Sequence, residues 1–281
     1  MRPESLGVIG LGALGGSIAW RAAQAGVPRI IGYSPVPAEA VAALKAGAIT
    51  EIADRPDRAV GPADLVVLAA PPGATLNLLR DLRGQLQARP VLCTDVTSVK
   101  RPIMDLAEHL ALTERFAGSH PLAGTHESGF DAARPSRLDG ALVYVTPLPN
   151  GERAAREIAD FWAGVCGASP VLCNAAEHDR VVAWTSHLPQ AVASALAGAL
   201  RRAGPKGVTY GPGARDTTRL AASNPALWHD VLLLNREALL EGLDAMEGEL
   251  GRLRRALNTG NGDELLAWLE AARTWRRQVD S

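Results

Sequence analysis

The chain has 281 residues, of which 47% are hydrophobic and 21% are charged, so it can bury a substantial core and is not a disordered protein. Basic and acidic residues nearly cancel, at 29 and 30, which argues against a general binder of nucleic acid or of anionic membranes. The three cysteines, Cys93, Cys166 and Cys173, lack C-x-x-C spacing and indicate neither a metal site nor a disulfide framework.

Short apolar runs alternate with helical stretches through the first half of the chain. The predicted strands are Leu6–Ile9, Arg29–Tyr33, Leu65–Ala70, Val91–Thr94, Arg115–Gly118 and Ala141–Thr146, with helices such as Gly15–Ala25 and Ala38–Ala46 between them. Continuous apolar strands of this length are typical of a parallel sheet that is buried on both faces. The alternation therefore predicts an α/β domain with a doubly wound, mostly parallel sheet.

The second half changes character after a last short strand at Val171–Cys173. Three long helices are predicted, over Glu177–Arg202, Trp228–Leu257 and Asp263–Arg277. Pro189 cannot donate a hydrogen bond to the carbonyl of Thr185, so a local kink is expected in the first of them. We predict an α/β domain over residues 1–173 and an all-helical domain over residues 174–281.

A glycine-rich turn follows the first predicted strand and opens a helix. It is a G-x-G-x-x-G sequence made of Gly10, Leu11, Gly12, Ala13, Leu14 and Gly15. The first glycine permits a tight turn, the second lets the backbone approach a pyrophosphate, and the third allows close packing of helix on strand. Strand, glycines and helix in this order predict a Rossmann-type dinucleotide-binding domain.

Two further strand ends are expected to contact the dinucleotide. Ser34 follows the second strand, where an Asp or Glu usually binds the adenosine ribose. Ser34 does not repel a 2′-phosphate and no Arg follows at once to hold one, so the choice between NAD and NADP stays open. Ala70 ends the strand at Leu65–Ala70 and Pro71 follows it, and the two are either ligand contacts or part of an ordinary strand-ending turn.

Two polar clusters follow later strands and are expected to face the same crevice. The cluster at 94–100 contains Asp95, assigned to the cofactor, and Ser98. The cluster at 118–124 contains His120, whose imidazole titrates near neutral pH and suits proton transfer. Ser98 could bond that ring or a substrate.

Several motifs together resemble those of the prephenate/arogenate dehydrogenase family of tyrosine biosynthesis, over essentially the full length. They are GLGALGGS at 10–17, DVTSVK at 95–100, GSHPLAGTHESG at 118–129, HD at 178–179, TSHLPQAV at 185–192 and GPGARDTTRLAASNPALW at 211–228. The resemblance implies oxidative decarboxylation of prephenate to 4-hydroxyphenylpyruvate, with hydride transfer to NAD or NADP. It also implies a homodimer formed through the helical domain.

The resemblance assigns roles to individual residues. His120 is implied to be the catalytic base, and Ser98 to orient His120 and the substrate hydroxyl. Arg219 is implied to bind a substrate carboxylate while Asp216 holds Arg219. The other implied substrate contacts are Ser186, His187, Thr125, His126, Gln190 and Arg215.

Two positions depart from the family pattern. His126 occupies a position where some relatives carry an acid that would favour the ammonium group of arogenate, so we expect a preference for prephenate. Gln190 stands where the family often has a second His after SHLP, which leaves the set of substrate donors open.

Other functions are less consistent with these residues. A hydroxyacid or imine reductase would need a Lys in a suitable motif of the helical domain, where the sole Lys is Lys206. A non-catalytic dinucleotide sensor would need neither His120 nor Arg219. Arogenate dehydrogenase is the alternative within the family.

The sequence shows no signal peptide, membrane helix or tyrosine-sensing domain, and the lack of these features is the basis for predicting location and regulation. The N-terminal residues do not form a signal peptide, and the longest apolar run, Leu65 to Pro72, is far below the roughly 20 residues of a membrane helix. We expect a cytoplasmic protein without an appended tyrosine-sensing domain.

Overall fold

The structure is a computed structural model that describes residues 2–124 and 127–279. It divides into two compact units, Met1–Asn235 and Arg236–Ser281. The first unit contains both β-sheets and ten helices, and the second is a pair of helices. No helix in the described ranges is both long and apolar enough to span a bilayer.

Five parallel strands form the first sheet, in the order β3-β2-β1-β4-β5. They are β1 Ser5–Ile9, β2 Arg29–Tyr33, β3 Glu51–Ile52, β4 Leu65–Leu68 and β5 Leu92–Asp95. Side chains alternate between two hydrophobic clusters: Leu6 and Val8 enter one, whereas Ile9 enters the other. This double burial explains the continuous apolar strands and confirms the predicted doubly wound sheet.

Six helices accompany the strands of this half of the chain. They are α1 Ala13–Gln24, α2 Pro37–Lys45, α3 Pro56–Val60, α4 Pro72–Ala88, α5 Arg101–His109 and α6 Glu152–Gly164. Four of them carry Pro in the first turn, where the missing N–H is not needed. The prolines therefore mark where these four helices begin, a few residues after the preceding strand ends.

The last predicted strands form a separate sheet rather than extending the first. It contains β6 Ala117–Pro121, β7 Leu142–Pro147 and β8 Ser169–Leu172 in the order β6-β7-β8. β6 and β7 are antiparallel and β7 and β8 are parallel. The strand predicted at Arg115–Gly118 in fact begins at Ala117, so His120 lies on a strand and not in a loop after it.

Six helices make up the rest of the chain. They are α7 Ala175–Val182, α8 Leu188–Ala203, α9 Pro212–Thr218, α10 Pro225–Leu234, α11 Arg236–Thr259 and α12 Gly262–Val279. A π-turn, Ala183–His187, separates α7 from α8 directly before Pro189, which is the local irregularity that the proline predicts.

The single helix predicted at Trp228–Leu257 is wrong. α10 ends at Leu234, and Asn235 leaves the helical conformation with φ −110° and ψ 26°. Its side chain is buried and donates hydrogen bonds to the carbonyl of Asp179 and to Nδ1 of His187. These long-range bonds hold Asn235 outside a helix, and the local sequence does not reveal them.

Candidate active site

The glycine turn connects β1 to α1 with the geometry that a dinucleotide site requires. Gly10 has φ +100°, and its N–H donates to the carbonyl of Tyr33 at 2.8 Å. A Cβ on Gly15 would lie 1.9 Å from the carbonyl oxygen of Gly10, whereas a Cβ on Gly12 would meet nothing within 4 Å. Gly15 therefore keeps helix and turn in contact, and Gly12 leaves open space at the N-terminus of α1, where a phosphate binds favourably.

The other residues of this turn contribute differently. The side chain of Leu11 is fully buried in the hydrophobic core, so only its backbone is available to a ligand. Ala13 and Leu14 form the first turn of α1. The residues of the turn thus fit a pyrophosphate through backbone N–H groups rather than through side chains.

Ser34 lies directly after β2 and is buried. Its hydroxyl is 2.5 Å from Oε2 of Glu39 and accepts a hydrogen bond from the N–H of Val36 at 3.1 Å. Glu39, in the first turn of α2, is a carboxylate that the sequence analysis did not assign to this strand end. Glu39 is five residues from Ser34 in the sequence, a spacing that neither a strand nor a helix pattern indicates as a contact. The turn from β2 into α2 brings the two side chains together.

Ala70 and Pro71 link β4 to α4, at the edge of the sheet where ligands of such folds bind. Pro71 is exposed and lines a cavity of about 560 Å³ together with Ala74 and residues 224–227, 229 and 230. Asp230 accepts a hydrogen bond from the N–H of Gly73 at 3.1 Å. Pro71, at the strand end predicted to contact the ligand, therefore lines an open cavity.

Asp95 is not available to a cofactor, contrary to the prediction. Its side chain is fully buried, and it forms an ion pair with the buried ammonium group of Lys100. Oδ2 also accepts from the N–H and hydroxyl of Thr97, at 2.9 and 2.5 Å, and Oδ1 accepts from the N–H of Ser119 at 3.1 Å. Asp95 thus joins β5 to β6 and fixes the strand that carries His120.

A hydrogen-bonded chain runs from His120 into the interior. Nδ1 of His120 is 2.8 Å from Nε2 of His178, and Nδ1 of His178 is 2.7 Å from Oδ1 of Asp179. Asp179 in turn accepts hydrogen bonds from the backbone N–H groups of Lys100 and Arg101, at 2.7 and 2.8 Å. The N-terminus of α5 therefore anchors the chain through a buried carboxylate.

This arrangement determines which nitrogen of His120 carries a proton. The carboxylate of Asp179 only accepts, so Nδ1 of His178 donates to it and Nε2 of the neutral His178 ring is an acceptor. Nδ1 of His120 must then donate to that acceptor. Nε2 of His120, which no residue in the described ranges contacts by a hydrogen bond, keeps a free lone pair, as a general base requires.

The surroundings keep both rings neutral. Burial, followed by the neighbouring His178, Lys100 and His187, lowers the pKa of His120 well below its usual range. Burial also lowers the pKa of His178, and the bond to Asp179 only partly opposes this. A neutral His120 can accept a proton at pH 7.

Ser98 does not orient His120 in this structure. Its side chain is partly buried, and no hydrogen bond joins it to His120 or to another residue in the described ranges. The partner of His120 is instead His178, which the sequence analysis did not assign to the site. His178, Asp179 and Lys100 are the site residues that sequence reasoning missed, although they belong to the HD and DVTSVK motifs.

His187 and Gln190 are buried around the π-turn. Nδ1 of His187 accepts from the amide of Asn235 at 3.0 Å, so the ring proton is on Nε2, which is buried without a partner in the described part of the chain. Gln190 donates to the carbonyl of Leu220 at 2.9 Å. Gln190 therefore secures the short 3₁₀ turn Arg219–Ala222 against α8.

The remaining predicted substrate residues lie on the surface. Arg219, Asp216, Arg215 and Ser186 are exposed, and the predicted ion pair between Asp216 and Arg219 is absent among the described side chains. Arg215 lines a second cavity of about 510 Å³ between α8 and α9. Thr125 and His126 lie outside the described residues.

Comparisons with known proteins agree on one family. The family model described as prephenate dehydrogenase, nucleotide-binding domain, matches residues 20–171, and the one described as prephenate dehydrogenase, dimerization domain, matches residues 174–271. Cyclohexadienyl dehydrogenase of Zymomonas mobilis is 35% identical over 94% of this chain and 92% of its own length. Prephenate dehydrogenase of Bacillus subtilis is 32% identical over 97% of this chain and 75% of its own length.

A solved structure extends the agreement to the fold. The crystal structure of prephenate dehydrogenase from A. aeolicus, in complex with hydroxyphenyl propionate and NAD+, has a TM-score of 0.88 at 28% identity and covers 98% of both chains. The chain belongs to the prephenate dehydrogenase family.

Proposed function

We propose that this protein is an NAD(P)-dependent prephenate dehydrogenase, which converts prephenate to 4-hydroxyphenylpyruvate and CO2. The observation that carries the proposal is the chain from Asp179 through His178 to His120, which leaves Nε2 of a neutral His120 as a free acceptor. His120 lies on β6, which Asp95 and Thr94 bond to the carboxyl end of β5. That is the edge of the parallel sheet at which the glycine turn also lies.

The reaction needs a proton acceptor at the ring hydroxyl. C4 of prephenate carries a hydroxyl and a hydrogen, and C1 carries a carboxylate. Hydride leaves C4 more easily when Nε2 of His120 accepts the hydroxyl proton. Negative charge then develops on the oxygen, which forms the C=O bond as the hydride departs. Loss of CO2 from C1 supplies the electron pair that completes the aromatic ring, and the proton returns to the oxygen.

The turn residues fit a dinucleotide. When bound, its oxidised nicotinamide ring accepts the hydride. Gly10, Gly12 and Gly15, together with Leu11, Ala13 and Leu14, would hold the pyrophosphate through the backbone at the start of α1, where Gly12 leaves open space. Ser34, Ala70 and Pro71 would border the rest of the nucleotide.

Two substrate carboxylates require cations or hydrogen-bond donors. Arg219 is exposed and has no ion-pair partner among the described residues, so its planar fork is available to one carboxylate. The donor Nε2–H of His187 is buried and unpartnered, which suits a second oxygen acceptor. Ser98, Ser186, Thr125, His126 and Arg215 are the further candidates, whereas Gln190 acts by holding the turn that carries Arg219.

Prephenate is the substrate that we favour over arogenate. His126 offers no negative charge to the ammonium group that distinguishes arogenate, and ammonium recognition needs such a partner. The cyclohexadienyl dehydrogenase of Zymomonas mobilis, at 35% identity, makes arogenate the second candidate. A kcat/KM for arogenate above that for prephenate would contradict the preference.

We also propose a homodimer formed through the helical half, residues 174–281. The second compact unit exposes large apolar side chains on α11 and α12, among them Leu257, Leu266 and Trp275, which are 61%, 56% and 63% exposed. Clustered exposed apolar side chains mark interaction surfaces, and the family model described as a dimerization domain matches residues 174–271. Light scattering should give twice the mass of 29.5 kDa, and a monomer would contradict the proposal.

The activity is tested by following reduced nicotinamide with purified protein, prephenate or arogenate, and NAD or NADP. Turnover with prephenate should fall by about 10²–10⁴ in His120→Asn, the range that a general base contributes. His109→Asn is the matched control, since His109 is exposed at the end of α5 and its loss should leave turnover unchanged. Absence of turnover in all four combinations, with dinucleotide still bound, would overturn the proposed function.

A further inference from the structure

Glu39 places a carboxylate at the end of β2 from the helix that follows. Its backbone lies in the first turn of α2, and its Oε2 is 2.5 Å from the hydroxyl of Ser34, the first residue after β2. The preceding residue, Tyr33, accepts a hydrogen bond from Gly10. The carboxylate is thus connected through Ser34 and Tyr33 to the strand end that adjoins the glycine turn.

The direction of the hydrogen bond is fixed by chemistry. A carboxylate only accepts, so the single hydroxyl hydrogen of Ser34 points to Glu39, and the Ser34 oxygen accepts from the N–H of Val36. Ser34 is buried and has no hydrogen left for a phosphate.

No arginine or lysine in the described part of the chain forms an ion pair with Glu39, and the exposed Arg58 of α3 acts on Asp57. Arg55 follows β3, the neighbour of β2, but both of its hydrogen bonds go to Asp57, at 3.0 and 2.6 Å. Lys45 is at the opposite end of α2, about 9 Å from Glu39 along the helix axis. A 2′-phosphate at the end of β2 would therefore meet a carboxylate that no paired cation neutralises.

We propose that Glu39 selects NAD over NADP in this protein. Its carboxylate takes the part that an Asp or Glu at the end of the second strand usually plays: it accepts hydrogen bonds from ribose hydroxyls and repels a 2′-phosphate. Ser34 is the positioning residue that holds the carboxylate in place. The inference rests on the proposed function only in requiring that the glycine turn binds a dinucleotide.

Calorimetric titration of NADH and NADPH, without prephenate, tests the inference by affinity alone. The wild-type protein should bind NADH at least about tenfold more tightly than NADPH, a difference of about 1.4 kcal/mol. Glu39→Gln keeps the shape and removes the charge, so the two affinities should approach each other. Glu4→Gln removes the same charge just before β1, at the opposite edge of the sheet, and should leave the ratio unchanged.

Ser34→Ala separates the carboxylate from the residue that holds it. The affinity ratio should fall by less than in Glu39→Gln, because the charge stays. Equal binding of NADH and NADPH by the wild type, an unchanged ratio in a folded Glu39→Gln, or a larger fall in Ser34→Ala would each overturn the inference. Binding of neither dinucleotide would overturn the proposed function as well.

Discussion

A single hydrogen bond to His178 decides which nitrogen of His120 carries the proton. We predict that His178→Asn lowers kcat by about 10-fold to 100-fold, because the His120 ring then loses the acceptor that directs its proton to Nδ1. His178 also lowers the pKa of His120. Its removal should therefore shift the acid limb of the kcat/KM profile to higher pH.

The pH profile distinguishes positioning from a general loss of structure. A merely destabilised enzyme would lose activity at every pH without moving the acid limb. A His178→Asn enzyme with wild-type kcat and an unmoved limb would show that the tautomer of His120 is set in another way.

Lys100 is the counterion of a fully buried carboxylate. Lys100→Met would leave the buried side chain of Asp95 without its counterion, and breaking such a pair costs about 3–5 kcal/mol. Denaturant unfolding should show this loss, whereas Lys45→Met, at an exposed site on α2, should change the free energy of unfolding by less than about 0.5 kcal/mol. Equal losses in the two variants would contradict the structural role of the pair.

At the scale of elements, we expect two glycines in the turn from β1 to α1 to have different roles: Gly15 is needed for stability, and Gly12 is needed only for binding. Gly15→Ala would place a methyl 1.9 Å from the carbonyl oxygen of Gly10, so we expect a lower melting temperature and weaker dinucleotide binding. Gly12→Ala meets nothing within 4 Å. It should keep the melting temperature and weaken dinucleotide binding alone, because the methyl occupies the space that a pyrophosphate would use.

Calorimetry with NADH and thermal unfolding measure both effects for the two variants. Wild-type affinity in Gly12→Ala would mean that the pyrophosphate does not approach this turn. Wild-type stability in Gly15→Ala would mean that helix and turn can separate without cost.

The elements that the sequence predicts well are those with a local cause. Four strands of the parallel sheet are built on short, mostly apolar runs, and the irregularity before Pro189 follows from a missing N–H. β3 has only two residues, both exposed, and carries no apolar signal. The break at Asn235 and the pairing of His120 with His178 depend on contacts over 48 to 58 residues, which no local pattern contains.

Because long-range contacts are not visible in a local pattern, some site residues could be predicted from the sequence and others could not. His120 and the glycine turn are recognisable because their chemistry is local. Asp95 was assigned to the cofactor from its strand end, yet its oxygens are taken by Lys100, Thr97 and Ser119. A strand end indicates where a ligand binds, but folding decides whether a given side chain is still free.

At the scale of the whole molecule, three imidazoles make folding depend on pH. Burial lowers the pKa of His187 to about 4, and the pKa values of His120 and His178 are also lowered. The unfolded chain binds these protons near pH 6.5, so it binds more protons than the folded protein below that pH. Stability should be complete above about pH 6.5 and should fall as the pH decreases towards 4.

His187 alone should account for about 2 kcal/mol of this loss at pH 5, from the difference between its unfolded and folded pKa values. Urea unfolding at pH 7.5, 6.0 and 5.0 should show a falling midpoint in the wild type and a smaller fall in His187→Asn. His109→Asn, which removes an exposed imidazole, should follow the wild type. If His187→Asn retained the full pH dependence, the buried His187 would have to be protonated in the folded protein, and its bond from Asn235 could not then exist.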